Sequence, residues 1–496
     1  MALWQTGRMS SGDRFDVLAG KARRAALRAA AVGVLSCLAT SHALAHAGER
    51  GHVLLLPTGY YIAGGAAAVA ASFLVLAFLP PRFLERIATQ RLALFSLNAS
   101  VCENARLLVS LLSFAVFAVL VAAGFLGSRD PLSNPLPLVV WTLLWVGLAL
   151  VQGLFGNLWA WINPWYGPWR VVSALLPSAV QGRRLPVRLG YWPAVVLFFG
   201  FAWFELIDPA PDDPARLAWA VATYWLFSFV LMLVYGYEDW SRRGEFLSVF
   251  FQMVSRFAVV EATDTEGRAR LNFCWPGAKL WGEAALPASG MFFLVLTLSS
   301  VSFDGLSRTF FWLGLNGINP LEFPGRSAVI GIGTVGLLGM FAALSGAYLL
   351  AVFLGERLAP SRRPFWQVAG LLVWSIVPIA LAYHFSHHLT ALLVNGQYAL
   401  VALSDPFFRG WDLFGTAGFQ VGAGVVAGYE SAWALWNAQA AAIIGGHVLA
   451  VLIAHALAFR LHPAPWRAML GQLPLTVLMV GYTVFGLWLL STPTAG

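Results

Sequence analysis

The chain has 496 residues, 59% of them hydrophobic and 11% charged, against a charged share of roughly 25% in soluble domains. This excludes a soluble globular domain. The formal charge of +8 comes from arginines in short loops between apolar runs, a pattern that argues against a nucleic-acid partner and for topology signals.

At the N-terminus, Lys21, Arg23, Arg24 and Arg28 precede the apolar stretch AAAVGVLSCLATS and the A-x-A pattern Ala43-Leu44-Ala45. That is the layout of a secretory signal peptide over 1–45, leaving 46–496 as a single integral membrane domain that begins at His46. A lipoprotein signal at Cys37 and a retained first helix are the competing readings.

Ten later runs approach or exceed the roughly 20 residues a helix needs to cross about 30 Å of hydrocarbon, without the alternation of barrel strands. They fall at 59–80, 107–127, 136–156, 191–207, 216–236, 289–306, 327–355, 365–388, 433–459 and 469–491. The expected fold is therefore all-α, a polytopic helical bundle in a lipid bilayer. Loops with Arg82, Arg86 and Arg91, with Arg183, Arg184 and Arg188, with Arg242 and Arg243, with Arg362 and Arg363, and with Arg460 and Arg467 alternate with arginine-poor loops. The rich loops are expected in the cytoplasm of a bacterial inner membrane, with both mature termini in the periplasm.

Two further stretches read as membrane-associated without spanning. NLWAWINPWYGPWR, 157–170, stacks tryptophans around Pro164 and Pro168 and is expected to lie along the membrane. EDWSRRGEFLSVFFQMVSRFAVVE, 238–261, reads as an interfacial amphipathic helix, with Glu238, Glu245 and Arg256 in an ion-pair network on a solvated face. Cys37 sits in the signal segment and Cys102 and Cys274 in loops, so neither a structural disulfide nor a thiolate metal site is expected. The chain lacks G-x-x-x-x-G-K, H-E-x-x-H and G-x-S-x-G, so nucleotide-driven transport and serine-hydrolase chemistry have no support.

The chemistry lies in polar residues within the helices. IALAYHFSHHLTALLVNGQY, 379–398, places His384 and His388 one turn apart, with His387 about 60° to their side, at the expected outer end of the eighth span. Imidazoles at i and i+4 can grip one metal ion, and the alternative is hydrogen bonding to neighbouring helices. His384 and His388 are the expected pair, with His387 contributing less. Asp304 before Gly305, and Glu205, occupy outer ends of other spans and are costly unless paired or metal-bound; Asp304 is a ligand or base candidate, or else a cap or turn former, and Glu205 a pocket candidate, or else a structural hydrogen-bond partner. His447 and His455 either extend a polar path inward or serve helix packing.

SDPFFRGWDLFGTAG, 404–418, sets Asp405, Arg409 and Asp412 among glycines and aromatic residues, as in a loop that closes over a ligand or folds back on the bundle. Asp304 and Asp412 are the catalytic candidates, and Glu205, Phe407, Trp411 and Phe414 the candidate substrate pocket. A mature terminus at His46 would offer amine and imidazole to a metal, with His52 as partner. The ion expected from histidine and carboxylate is divalent and zinc-like, or copper if that N-terminal brace forms.

GNLWAWINPW, SFDGLSRT, YHFSHHLT and SDPFFRGWDLFGTA, with the A-H-A start before LPTGYY, resemble the polytopic bacterial fenitrothion hydrolase family through most of the mature chain. The resemblance implies a membrane-bound hydrolase that cleaves the P–O aryl ester of an organophosphorus triester, a small hydrophobic substrate, and releases a nitrophenol. It brings no catalytic residues with it. A metal-activated water at the histidine and carboxylate site suits that reaction. The rival is a membrane transporter or metal-handling protein without hydrolysis, a third reading is an assembly factor or partner subunit, and a partner subunit of this chain is also open.

Overall fold

In hydrocarbon each backbone N–H must find its acceptor within its own segment, so long apolar runs become helices. The computed structural model describes residues 56–496 except 77, 176–182, 266–267, 423, 425–427 and 496. The expected signal peptide, Cys37, His46 and His52 lie outside the described residues. Nine described helices are long and apolar enough to cross a membrane: α1 (Thr58–Leu76), α3 (Ala99–Leu126), α4 (Pro135–Phe155), α8 (Pro214–Tyr235), α11 (Ala288–Ser307), α13 (Ile330–Leu358), α14 (Phe365–Ser404), α15 (Tyr429–Leu461) and α16 (Pro465–Ser491). A tenth apolar helix, α7 (Trp192–Leu206), is shorter. All ten expected spans correspond to one of these, and the all-α polytopic bundle is the observed fold.

Short helices fill the gaps: α2 (Pro81–Thr89), α5 (Trp159–Ile162), α6 (Tyr166–Leu175), α9 (Tyr237–Arg243), α10 (Phe246–Val254) and α12 (Phe310–Leu315). Three strands also form at the arginine-rich end, where the sequence reading expected none. β1 (Leu92–Asn98), β2 (Val260–Thr265) and β3 (Arg268–Phe273) make an antiparallel sheet in the order β1-β3-β2, with Leu92 opposite Phe273 and a bulge between Ala93 and Phe95. An ion pair between Arg91 and Glu261 ties the chain entering β1 to the hairpin. Cys102 falls in the first turn of α3 and Cys274 is buried just after β3; both thiols are free.

The two stretches read as interfacial are in fact inside. Trp159, Trp165 and Tyr166 are buried, and the Trp165 and Trp169 indoles donate to the carbonyls of Trp225 and Met232 on α8. Their N–H groups are thus spent on helix packing rather than on headgroups. In 238–261 the helix breaks at Gly244, and α10 buries apolar residues all round, from Phe246 and Leu247 to Val254. A helix apolar on every side belongs in a core. The expected ion-pair network does not exist. Glu238 pairs with Arg242 at 3.7 Å, Arg256 pairs with Glu283 at 3.0 Å, and Glu245 is fully buried as the N-cap of α10, accepting from the Leu247 and Ser248 N–H groups and the Tyr224 hydroxyl.

The eighth span is longer than expected. Helix α14 continues through a short 3₁₀ turn at Val373–Ser375 to Ser404, so the histidines sit in mid-helix rather than near its end. Glu245→Ala removes a cap and strands the Tyr224 hydroxyl. We expect a stability loss of about 1–3 kcal/mol, read as a lower melting temperature of the purified chain, and a smaller loss for Glu245→Gln.

Candidate metal centre

Asp304 stands in the last turn of α11. A carboxylate in an apolar bundle is costly unless paired, and this one is paired across to α14. Its Oδ2 lies 2.6 Å from His387 Nε2 and 3.9 Å from His388 Nε2. The expected alternative, that Asp304 and Gly305 form a turn, is not what the helix does: α11 runs on to Ser307. Gly305 instead makes room, since a Cβ there would sit 3.3 Å from Leu489 Cδ1 and 3.9 Å from His387 Nδ1.

The histidine contacts do not follow the i, i+4 spacing. His384 Nε2 donates to the Trp145 carbonyl at 2.9 Å, and its ring meets the Trp145 indole edge-on at 5.1 Å. Trp145 lies in a π-helical part of α4, Leu138–Leu148, a widened geometry that is rare and concentrates at functional sites. His388 Nδ1 donates to the His384 carbonyl at 3.0 Å, which leaves its Nε2 with a free lone pair toward Asp304. Such a bond from the second ring nitrogen to a carbonyl is the usual way a protein fixes a metal-binding tautomer. Donor atoms of Asp304, His387 and His388 lie within 4.8 Å of one another, and the group that could hold an ion among the described residues omits His384.

The donor set suits a divalent ion. Tetrahedral ligands at about 2.0 Å from a metal stand roughly 3.3 Å apart, and the present separations of 2.6 and 3.9 Å bracket that value. The side chains of His387, Asp304 and His388 keep 24%, 19% and 15% of their exposure, so the three are partly rather than fully buried. Behind it is a cavity of about 20 Å³ whose wall includes Glu205, Asp304, His384 and His388. That is room for about one water. Trp145 and Glu205 share the wall of this cavity. Arg326 donates to the carbonyls of Glu205 and Asp208 at 3.0 and 3.3 Å, and Asp208 is paired with Arg216 at 2.5 Å. These bonds tie down the end of α7 and hence Glu205.

The loop after α14 is not part of this arrangement. Asp412 accepts from Ala417 N–H at 3.0 Å and Ser404 Oγ at 2.9 Å, and the Ala417 N–H above all holds its carboxyl below the usual range. Asp405 accepts from the Arg409 and Gly410 N–H groups. Both carboxylates build the loop. Trp411 packs edge-on against Phe407 at 5.8 Å, Phe414 is exposed, and Phe407, Trp411 and Phe414 do not line the cavity. Glu205 does, so one of the four expected pocket residues joins Asp304 and the histidines. Sequence reasoning missed Trp145 and Arg326. An arginine in FPGRSA, within a connection whose only other arginine is Arg308, was a signal for the second; nothing local marked the first.

No family model, no curated protein and no solved structure matches this chain.

The geometry separates the three histidines experimentally. His387→Ala and His388→Ala should each weaken zinc binding by at least about tenfold, measured by competition with a chromophoric chelator. His384→Ala should leave zinc binding nearly intact but cost about 1–3 kcal/mol of thermal stability, because the Trp145 carbonyl loses its partner.

Proposed function

We propose that the chain is a membrane-embedded, metal-dependent hydrolase that cleaves the aryl ester bond of a small hydrophobic phosphotriester. The observation that carries this reading is the convergence of Asp304, His387 and His388 on one point beside a cavity sized for a water, with Glu205 on its wall. Three protein donors with a fourth position open is the arrangement of catalytic rather than structural metal sites. A bound divalent ion would supply a Lewis acid for the phosphoryl oxygen and make a water nucleophilic near neutral pH.

The chain's own residues do the rest. His388, its tautomer fixed by the His384 carbonyl, presents Nε2; Asp304 and His387 present the other two donors at the exposed rim. Glu205 is the candidate general base, a carboxyl group on the wall of the same cavity. Trp145, Leu206 and Phe250 give the water cavity its apolar wall. The void admits a water and excludes a triester, so the substrate meets the water at the rim formed by Asp304 and His387. The choice of a triester rests on the resemblance of YHFSHHLT and SFDGLSRT to the fenitrothion hydrolase family.

The size of the cavity is also the observation that favours a second reading, metal handling without hydrolysis. Zinc-loaded protein tested against an aryl phosphorothioate decides between them. We expect release of the nitrophenol, a loss of turnover of about 10²-fold or more in Glu205→Gln with zinc content kept, and loss of both zinc and turnover in Asp304→Asn. Bound zinc with no turnover would leave metal handling.

We also propose that the centre faces the periplasm of a bacterial inner membrane, because arginine-rich loops stay in the cytoplasm. An alkaline phosphatase fusion within 405–418 should be active and one after Arg363 inactive; the reverse pattern would turn the centre toward the cytoplasm.

A further inference from the structure

Beneath the metal centre the helices α14, α15 and α16 bury a second set of polar side chains that hydrolysis does not use. Tyr383, Tyr482 and His447 form a triangle of rings, with centroids 5.0, 6.0 and 6.1 Å apart. The Tyr383 hydroxyl donates to the Tyr482 carbonyl at 2.8 Å, and the Tyr482 hydroxyl shares a hydrogen bond with Ser302 on α11, two residues before Asp304.

His447 is fully buried. Its Nδ1 donates to the Ile443 carbonyl at 2.8 Å, so that nitrogen holds the proton and Nε2 carries a lone pair. This Nε2 has no hydrogen-bond partner among the described residues, and neither does the buried hydroxyl of Thr476 on α16. Unpaired polar atoms in an apolar bundle are expensive and rare, and where they persist they mark bound water or function.

The series continues to the opposite face. His455 is eight residues beyond His447, roughly 12 Å along α15 at 1.5 Å per residue, and its Nδ1 lies 2.8 Å from Gln472 Oε1 on α16. Thr476 is one turn from Gln472, between it and Tyr482. Gln472 then lines a cavity of about 10 Å³ together with His462 and Glu356, close to the room one water needs. Glu356 accepts from the N–H and hydroxyl of Ser361, beside Arg362 and Arg363 at the arginine-rich end.

We propose that the interface of α14, α15 and α16 conducts protons across the bundle, from the layer under the metal centre to the arginine-rich face, through a file of waters that His447 and Thr476 complete. At His447 a proton arriving from a water bonds to Nε2, giving an imidazolium whose Nδ1–H stays on the Ile443 carbonyl. The same Nε2–H bond then breaks toward the next water, and the ring returns to its starting tautomer. Only protons move, so no oxidant or reductant is required. The titratable groups along the file are Tyr383, Tyr482, His447, His455, His462 and Glu356. By helix rise alone His447 and His455 stand roughly 12 Å apart, a span that about three waters at hydrogen-bond spacing would bridge.

The test uses the full chain in lipid vesicles that enclose a pH-sensitive dye, with a potassium diffusion potential set by valinomycin. The intact protein should acidify or alkalinise the lumen well faster than protein-free vesicles. His447→Gln and Thr476→Val should each cut that rate by about tenfold or more, with zinc binding and elution profile unchanged. A role in packing alone predicts the opposite for Thr476→Val: an unaltered rate and a higher melting temperature, because an unpaired hydroxyl has gone. Flux equal to that of protein-free vesicles, or flux unaffected by either substitution, would overturn the proposal. Hydrolysis of the phosphorothioate by the same preparations is read separately, so loss of one activity does not stand for loss of the other.

Discussion

The contact on which the structure of the centre depends is the pair of Asp304 with His387, 2.6 Å apart between α11 and α14. Within an apolar bundle a lone carboxylate would carry a penalty of several kcal/mol, so Asp304 must have a partner or be neutral. The pair sets how α11 and α14 align, and the rest of the local packing accommodates it. Gly305 keeps the surface flat where α14 and α16 approach. The π-helical part of α4 presents the Trp145 carbonyl to His384, and that bond ties α14 to α4. Arg326 and Asp208 do the same for α7 and Glu205. The cluster is thus built by four helices, each held by its own hydrogen bonds.

Much of the fold was legible in the sequence because hydropathy reports the requirement for backbone pairing directly. All ten expected spans are helices, nine of them long enough to cross. Failures occurred where an apolar stretch had more than one solvent available. α10 is too short to span and has charges before it, so it read as a surface helix; the structure buries it because its apolar residues go all round. The 157–170 tryptophans look the same at an interface as in a core, and only the acceptors of their N–H groups tell the two apart. The sheet was missed because β1 pairs with a hairpin about 170 residues away, and short strands beside long helices leave little periodic signal.

The site shows a similar division. That histidines and Asp304 belong together was readable from costly residues at one end of several spans. Which histidines was not. The i, i+4 rule describes a helix standing alone, whereas the Trp145 carbonyl on another helix occupies His384 Nε2, and it is His387 that stands against Asp304. Asp412 and the aromatic residues around it had the composition of a ligand loop, yet the carboxylate is spent on the loop's own N–H groups. Composition counts donors and acceptors, and it takes the tertiary structure to show which of them are already used.

X-ray absorption at the zinc edge, on zinc-loaded protein and its single histidine variants, tests the assignment of the centre most directly. The account predicts a first shell of two imidazoles with oxygen donors at about 2.0–2.2 Å. One imidazole contribution should disappear in His387→Ala and in His388→Ala, and both should persist in His384→Ala. A shell without histidine scattering, or one that loses an imidazole only when His384 is replaced, would contradict it.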